Sequence, residues 1–535
     1  MLRRMLMLSL VGAAALTAAP PVPAQAQQRV LRHDEAAPGR LDPSKVPDYA
    51  AAVLTMNIYD SLVEARPGGG VMPGLATSWT ISDDGKQYSF TLRPGVKFHH
   101  GGTVTAEDVV FTLDRTLTLN AGYARLFKGV SVSGPEPMKV VFTLPEANAS
   151  FLASLVRMPI VQKSTVMGNI KPGGPYGDKG DYAEAWLAAN DAGSGAYRVT
   201  EHNPQDGSVL VKFPDYFQGF ADKAPDMVRI RYGIEAATIR TLMSRKEFEI
   251  TSQWIPVEIK RALAGMPGMK LVTEAGISYF IMSMNTRRAP TDDVNIRRAI
   301  AKAIDYDTLI GMTAIGPGQP GALPMHGALP SGFLGYDKSL PANARDVPGA
   351  KAAVAASKYA GNVPPIELSW VAEVPLEEKF SLLIQQNLAE VGIPATIVKT
   401  PWALLTQQVT KPETTPHMTQ RFAIGPYPDP DALISQNESR FLGTTLKMDW
   451  FADSELDRMI PAARAITDEA KRQTLYIDIQ KRLLDQRPSL VAFESVATFA
   501  KQDYVTAPNL DAPGKGAAAI GSNWLFRTYS VDRTQ

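Results

Sequence analysis

The chain has 535 residues, which is more than a single hydrophobic core organises, so we expect two or three domains. Its 55 Lys and Arg residues almost equal its 54 Asp and Glu residues, and this balance argues against nucleic acid or an anionic membrane surface as the main partner. The sequence has no cysteine, so we expect no disulfide, thiol nucleophile, thiolate metal site or lipid-modified N-terminal cysteine.

The first 26 residues are predicted to be an export signal. Arg3 and Arg4 precede an apolar stretch at residues 6–19, and Ala24-Gln25-Ala26 has the small-x-small pattern of a cleavage site. The apolar stretch is shorter than the roughly 20 residues that span a bilayer, and prolines follow it. We therefore expect cleavage after Ala26 and a protein without a lipid anchor in the periplasm of a Gram-negative cell.

Three segments have the pattern of β-strands, at residues 86–92, 138–144 and 208–213. The first alternates clearly and follows Asp83-Asp84-Gly85, a sequence typical of a hairpin turn. Along the chain these strand patterns are interspersed with helical patterns, without strict βαβ alternation. This mixture predicts an α/β or α+β protein with several sheets.

Three helices are predicted from capping residues that precede apolar residues at helical spacing. Thr105, Asp293 and Thr467 stand at the predicted helix starts. Segments rich in proline and glycine predict loops at residues 171–180, 316–335 and 512–519.

The sequence lacks the common catalytic signatures. It contains no Gly-x-Ser-x-Gly, His-Glu-x-x-His or phosphate-binding Gly-x-x-x-x-Gly-Lys-Ser/Thr motif. The neighbours His99 and His100 would point to opposite faces of a strand and are expected on the surface or in a loop. His33-Asp34 is a weak candidate for a metal or ligand. We predict no enzyme, no cofactor and no metal site.

Aromatic residues near predicted strand ends are candidates for ligand stacking. Trp402 follows a strand-like segment at residues 395–398, and Trp254 follows another apolar segment. Residues 425–431 combine Tyr427, Asp429 and Asp431 with three prolines, and a loop stiffened in this way places side chains at low entropic cost. For the tryptophans, a partly buried core residue is the more common explanation, and for the loop a plain turn explains the composition equally well.

Several segments together resemble the periplasmic oligopeptide-, dipeptide- and nickel-binding proteins, the family-5 extracellular solute-binding proteins of ABC importers. The resemblance follows the same order over some 400 residues. The segments are Leu41-Asp42-Pro43, 73–79, 93–99, Thr105-Ala106-Glu107-Asp108-Val109, 193–197, Ala303-Ile304-Asp305 and Asp429-Pro430-Asp431.

The resemblance implies a mixed α/β fold of the type II periplasmic-binding-protein kind. Two lobes joined by a hinge would enclose the ligand, and a further domain would be inserted in the chain. The implied division is domain I at 27–65, 186–280 and 496–535, domain II at 66–185 and domain III at 281–495. The implied partners are a small-molecule or short-peptide ligand and ABC permease subunits with a cytoplasmic ATPase. We expect a monomer.

The resemblance also implies ligand-binding residues. Asp48 and Tyr49 would meet the ligand from domain I, Trp402 would face it from domain III, and the backbone of Ile424 and Gly425 would pair with an extended ligand. Tyr427 and Asp429 follow in the same loop.

The chain departs from the dipeptide binders at two positions. Pro426 stands where those proteins carry an aspartate that holds the ligand's ammonium. Residues 370–379 contain Glu373, Glu377 and Glu378 but no arginine for the ligand's carboxylate. Asp429, Asp431 or Glu373 is expected to replace the missing acid if a free amine is bound.

The resemblance predicts a periplasmic substrate-binding protein that captures a peptide or peptide-like solute for import. Two alternatives remain open at the level of the sequence. One is a secreted hydrolase, and the other is the same fold binding a non-peptide solute such as an opine, a sugar, glutathione or a metal chelate.

Overall fold

The computed structural model describes residues 28–38, 40–45, 49–67, 69–316, 318–511 and 521–534. The predicted export signal, Asp48 and the predicted loop at 512–519 lie outside the described residues. In the described part of the chain, no helix combines the length and the apolar character that crossing a bilayer requires.

The strands of the described residues are numbered in chain order. They are β1 Val30–Glu35, β2 Val63–Ala65, β3 Val71–Pro73, β4 Ala76–Ile81, β5 Gln87–Leu92, β6 Ser131–Glu136, β7 Lys139–Thr143, β8 Tyr197–Asn203, β9 Gly207–Lys212, β10 Met227–Tyr232, β11 Met269–Glu274, β12 Ser278–Met284, β13 Ala322–Pro324, β14 Ile366–Val371, β15 Ala395–Thr400, β16 Met418–Ile424, β17 Ser489–Ser495, β18 Ala497–Gln502, β19 Val505–Thr506 and β20 Ser530–Val531.

The α-helices are numbered in the same way. They are α1 Tyr49–Ile58, α2 Ala106–Leu119, α3 Phe151–Ser154, α4 Lys163–Gly168, α5 Glu184–Leu187, α6 Ala236–Ser244, α7 Val257–Ala264, α8 Val294–Ala303, α9 Tyr306–Thr313, α10 Val347–Ala355, α11 Pro375–Glu390, α12 Trp402–Gln408, α13 Asp431–Ile434, α14 Ser454–Ala465, α15 Glu469–Gln486 and α16 Pro508–Asp511.

The three predicted strands are confirmed as β5, β7 and β9. In β5 the alternation has its expected cause, since Tyr88, Phe90 and Leu92 are buried. The turn before β5 connects it to its antiparallel neighbour β4, and Gly85 adopts the positive φ of 67° that this turn needs.

The predicted helix starts are confirmed at α2 and α8 and are one residue early at α15. Thr105 and Asp108 form a capping box on α2, and the Asp293 side chain accepts a hydrogen bond from a backbone N–H of α8. In α15 the cap is Asp468 rather than Thr467, because the Asp468 carboxylate accepts from the backbone N–H of Lys471.

One other expectation needs correction. The predicted loop at 316–335 contains the short strand β13, which pairs with β17. His99 and His100 lie in a turn, as expected, and His100 is exposed, whereas the His99 side chain is buried. Its Nδ1 lies 2.6 Å from an oxygen of Asp191, and its Nε2 lies 2.9 Å from the carbonyl oxygen of Gly195. A partner 92 residues away made this burial invisible in the sequence.

Two sheets of four strands and one of six dominate the architecture. The four-stranded sheets have the orders β1-β10-β9-β8 and β4-β5-β7-β6, and the six-stranded sheet has the order β13-β17-β12-β16-β14-β15. One face of the six-stranded sheet is packed with aromatic rings. The ring of Phe280 lies 5.0 Å from that of Phe380 on α11 and 5.1 Å from those of Phe422 and Phe493, so α11 is fixed against the sheet.

Two short segments connect the six-stranded sheet to the antiparallel β11–β18 pair. Residues 275–277 lead from β11 to β12, and Val496 leads from β17 to β18. The segments run side by side, because Glu274 pairs with Ala497 before the crossing and Tyr279 pairs with Glu494 after it. Two adjacent connections of this length have the geometry of a hinge.

Candidate ligand site at the edge of the six-stranded sheet

Three parallel strands end at one edge of the six-stranded sheet. β14 runs parallel to both β15 and β16, so Val371, Thr400 and Ile424 all finish at this edge. Ligands of α/β proteins commonly bind where the carboxyl ends of parallel strands meet. Of the predicted site residues, Glu373, Trp402, Ile424 and Gly425 lie at this edge or directly beyond it.

The structure brings Glu373 and Trp402 together, although they are 29 residues apart in the sequence. The two carboxylate oxygens of Glu373 lie 3.0 and 3.3 Å from the backbone nitrogen of Trp402, the first residue of α12. The N-cap of α12 is Pro401, which has no side-chain acceptor, so Glu373 supplies the missing cap. Glu373 is exposed, and the Trp402 side chain is 39% exposed.

On the other side of the hinge, Tyr49 and Trp254 form a second aromatic pair. Their ring centroids are 5.5 Å apart in an edge-on arrangement. The Tyr49 hydroxyl accepts a hydrogen bond of 2.7 Å from Trp524 Nε1, which fixes its orientation. Burial, and then the Glu274 and Glu35 carboxylates, raise the pKa of Tyr49 well above its usual value. Trp254 is 51% exposed.

An ion pair connects the two helices that follow Trp254 and Glu373 in the chain. Lys379 Nζ of α11 lies 3.3 Å from Glu258 Oε1 of α7. Trp254 lies just before α7 and Glu373 just before α11, so both lie next to the helix ends that this pair joins. The pair is exposed on both sides and contributes little stability by itself.

The backbone of β16 has an unpaired side near its end. β16 pairs with β12 along its whole length, up to Ser278 and Ile424. On its other side, the register with β14 covers only Leu368 with Met418 and Ser369 with Thr419. Among the described residues, no strand therefore pairs with the β14-facing side of β16 from Gln420 to Ile424, and this is the kind of edge to which a further strand adds.

Gly425 is held tightly at the end of β16. Its backbone nitrogen donates to the carbonyl of Ile277 at 2.9 Å, within the hinge segment. A Cβ on Gly425 would lie only 2.3 Å from the ring of Phe333, so no side chain fits there. Gly332, the neighbour of Phe333, donates to the carbonyl of Gly276 at 3.0 Å, and this contact ties the same loop to the hinge.

A cleft of about 690 Å³ opens at the loop that follows β16, and Asp429 alone of the predicted site residues that the structure describes lines it. Its walls come from the hinge at Gly276, from Ser331 and Phe333, and from the loop that carries Asp429. Residues that close it from the side of the β4-β5-β7-β6 sheet are Arg66, Gly69, Gly70, Ala149 and Leu152. The cleft is large enough for a small ligand.

Asp429 is engaged in a buried ion pair. Its carboxylate oxygens accept hydrogen bonds of 2.6 and 2.7 Å from Arg472, and Ser150 donates to it at 3.1 Å. Asp429 is only 6% exposed. Burial opposes the charge on Arg472, but the Asp429 carboxylate outweighs it and raises the pKa of the guanidinium.

Asp431 and Tyr427 are engaged in the same loop. Asp431 accepts a hydrogen bond of 3.0 Å from Arg464, which also pairs with Glu438, and another of 3.1 Å from the Tyr427 hydroxyl. The carbonyl of Pro426 accepts from Arg157. Both aspartates that were considered as substitutes for the missing acid are therefore already paired with arginines.

A third carboxyl at this edge is buried without a cation. Glu377 in the first turn of α11 is 0% exposed, and one of its oxygens accepts from the backbone nitrogen of Val371 at 2.9 Å. Its other oxygen has no hydrogen-bond partner among the described residues. Burial raises the pKa of Glu377 to about 8, so it is protonated at neutral pH.

Sequence reasoning missed the arginines that occupy the acidic loop. Arg472 and Arg464 follow their partners by 43 and 33 residues, and no local pattern marks them. His33, the weak metal or ligand candidate, is buried with its ring stacked 4.7 Å from that of Trp524, and burial lowers its pKa to about 3. Across the described residues, no cluster of three or more His, Asp or Glu side chains has the arrangement of a metal site.

Comparison with known proteins adds independent findings. The family model of the bacterial extracellular solute-binding proteins, family 5, matches residues 70–440. The probable D,D-dipeptide-binding periplasmic protein DdpA of Escherichia coli K12 is 28% identical over 490 residues, which cover 89% of each chain.

Two solved structures have the same fold. The ABC transporter substrate-binding protein CtaP of Listeria monocytogenes superposes with a TM-score of 0.81 at 20% identity, over 94% of this chain and 99% of that one. The periplasmic binding protein DppA of Helicobacter pylori, in complex with the peptide STSA, gives 0.77 at 22% identity, over 94% and 98%. They confirm the two-lobed mixed α/β fold predicted from the sequence.

Proposed function

The chain belongs to the bacterial extracellular solute-binding proteins of family 5, and we propose that it captures a peptide or peptide-like solute between its lobes for an ABC importer. One observation carries the peptide part of this proposal, namely the open side of β16 from Gln420 to Ile424. An extended peptide adds to such an edge as a further strand, through main-chain hydrogen bonds. The named ligands of DdpA and of the Helicobacter pylori protein are also peptides.

The remaining parts of the proposal concern place and partners. The protein would act as a monomer in the periplasm after cleavage behind Ala26, and would deliver its ligand to two permease subunits driven by a cytoplasmic ATPase. Bending of the hinge at 275–277 and Val496 would close the lobes. The division into domains I, II and III is part of the same proposal, with the boundary at 280/281 moved to the hinge at 275–277, because β12 is one continuous strand of the six-stranded sheet.

The ligand would contact both lobes. Asp48 and Tyr49 would meet it from one lobe, and Glu373 and Trp402 from the other. The backbones of Ile424 and Gly425 would pair with its main chain. Tyr427 and Asp429, also predicted to bind the ligand, would instead shape the loop behind it, because they are engaged by Asp431 and Arg472. The relatives are binding proteins, and we propose that this chain has no catalytic activity. An activity on esterase, amidase or glycosidase substrates that one point mutation abolishes would contradict this.

Native mass spectrometry with a pool of tripeptides tests the proposal. The purified protein should retain peptides from the pool, and the same pool with N-methylated backbone amides should be retained at least about tenfold less, because methylation removes the donors that pair with β16. Equal retention of the methylated pool would contradict strand addition. Retention of no peptide at all would contradict the proposed function.

A further inference from the structure

Two exposed tryptophans face the seam between the lobes. Trp254 is 51% and Trp402 39% exposed, whereas the other five tryptophans are less exposed. Each is held at its base, Trp254 by its edge-on contact with Tyr49 and Trp402 as the first residue of α12. The ion pair between α7 and α11 joins the helices that follow Trp254 and Glu373 across this seam. Ordered aromatic faces left open at a seam favour a ligand that stacks on them.

One exposed carboxylate, that of Glu373, lies beside Trp402. Lys379 is paired with Glu258, and Glu377 is buried and protonated. Glu373 is exposed and has no ion-pair partner among the described residues. Both of its oxygens contact one backbone N–H, that of Trp402, so each oxygen retains a lone pair for a further donor. This contact holds the negative charge next to the Trp402 ring.

The sheet relates this carboxylate to the open side of β16. In the order of the strands, β14 is the neighbour of β16, and Glu373 follows β14 by two residues. A peptide main chain added to the open side of β16 would therefore run in the space beyond β14. Its side chains project to both faces of the strand, and one of them reaches the position of Glu373 and Trp402.

The chemistry of the three groups selects a cation. A carboxylate gives an ammonium or guanidinium a charge-assisted hydrogen bond, and tryptophan faces attract the same group through their quadrupoles. A neutral side chain would bury the Glu373 charge without a partner when the lobes close, and an anionic side chain would be repelled. We propose that Glu373, Trp402 and Trp254 form a subsite for a cationic side chain of the bound peptide. This inference rests on the proposed function.

The test compares which peptides are retained. Wild type is mixed with an equimolar pool of tripeptides Ala-X-Ala, in which X is Lys, N-acetyl-Lys, Arg, Gln or Glu, and the bound fraction is read by native mass spectrometry. We expect the Lys and Arg peptides to be enriched about tenfold over the N-acetyl-Lys, Gln and Glu peptides. Glu373→Gln should abolish the enrichment, and Trp402→Leu should reduce it severalfold.

Glu378→Gln is the matched control, since it removes an equally exposed carboxylate five residues away on α11. It should keep the enrichment of wild type. Peptides retained without cationic preference in wild type, or a preference that survives Glu373→Gln, would overturn the subsite and leave the proposed function intact. A wild-type protein that retains none of the pool would contradict both proposals. The melting temperature of each variant, expected within about 2 °C of wild type, excludes unfolding as the cause.

Discussion

The two ends of the ligand-facing sheet edge treat their acidic residues in opposite ways. At the β16 end, Asp429 and Asp431 are buried and bound to Arg472 and Arg464. At the β14–β15 end, Glu373 is exposed, and its hydrogen bonds among the described residues come from the start of α12. The first end is a structural joint, and the second presents a charge to the seam. An acidic residue in a motif is therefore not by itself a ligand-binding residue. Whether its carboxylate is free to bind a ligand depends on whether an arginine of the protein already pairs with it.

The joint at the β16 end also connects different parts of the chain. Ser150, at the start of α3, donates to Asp429 and accepts from Arg472. The carbonyl of Arg464 accepts from the backbone nitrogen of Ala149. Through these contacts the segment around α3 is fixed to the loop behind β16, so the wall of the cleft on this side is built from two packed units.

The largest effect is expected from Asp429→Asn, which leaves the Arg472 guanidinium buried without its carboxylate. Removing one partner of a buried ion pair costs about 3–5 kcal/mol, so the free energy of unfolding in urea should fall by this amount. Asp178→Asn removes a carboxylate from an exposed position and should change it by less than about 0.5 kcal/mol.

Replacing both partners sharpens this experiment. Arg472→Met added to Asp429→Asn removes the unpaired charge and should recover part of the lost stability. A loss below about 1 kcal/mol for the single variant would show that the ion pair does not hold the loop. Asp429 would then stabilise the fold no more than the exposed Glu373 does, and the contrast between these two carboxylates would have no energetic basis.

The sequence was sufficient for features that depend on neighbouring residues. The alternation in β5, the capping of α2 by Thr105 and the capping of α8 by Asp293 each involve residues within one element. The ordered motifs also led to the correct family. The strand alternation and the helix caps are local signals, and the family motifs add up along the chain. Both kinds of signal can be read without knowing which distant residues are in contact.

The sequence was insufficient where distant residues meet. Glu373 and Trp402 were separate candidates, and only the parallel pairing of β14 with β15 brings them together. Asp429 looked available because Arg472 lies 43 residues further on, in a different helix. Charge balance at a site is a property of tertiary contacts, which one sequence does not display.

A second prediction concerns the buried carboxyl group of Glu377, in the first turn of α11. The pKa of Glu377 is raised from 4.5 to about 8 by burial, so between these values the unfolded chain loses its proton while the folded chain keeps it. The stability of wild type therefore falls as the pH rises from 4.5 to 8. Glu377→Gln cannot ionise, and at pH 8 it should exceed wild type by about 4 kcal/mol in free energy of unfolding.

The comparison of pH profiles checks this prediction. The stability difference between Glu377→Gln and wild type should grow from pH 4.5 to pH 8 and then stay constant. Glu378→Gln, one residue away on the exposed face of α11, should follow the profile of wild type. Parallel profiles for Glu377→Gln and wild type would mean that Glu377 is ionised in the folded protein and has a partner or solvent at pH 7.

Trp402→Ala should act on binding rather than on stability. The ring is partly exposed and lies at the start of a short helix, so its loss removes little buried area. If it stacks on the ligand, the affinity for retained tripeptides should fall by about 1–2 kcal/mol, measured by calorimetry. Tryptophan fluorescence should change on peptide binding in wild type and less in Trp402→Phe. Unchanged affinity with a lowered melting temperature would make Trp402 a structural residue.

The smallest effect is expected from Glu373→Gln on stability. Its carboxylate caps α12, where Pro401 offers no acceptor of its own. Glutamine keeps an oxygen that can accept from the Trp402 N–H and loses only the favourable charge at the helix start. The free energy of unfolding should therefore fall by about 0.5 kcal/mol, and this difference should shrink in 1 M salt. A loss above about 2 kcal/mol would place Glu373 in the same class as Asp429, as a carboxylate committed to the fold, and the distinction between the two ends of the edge would fail.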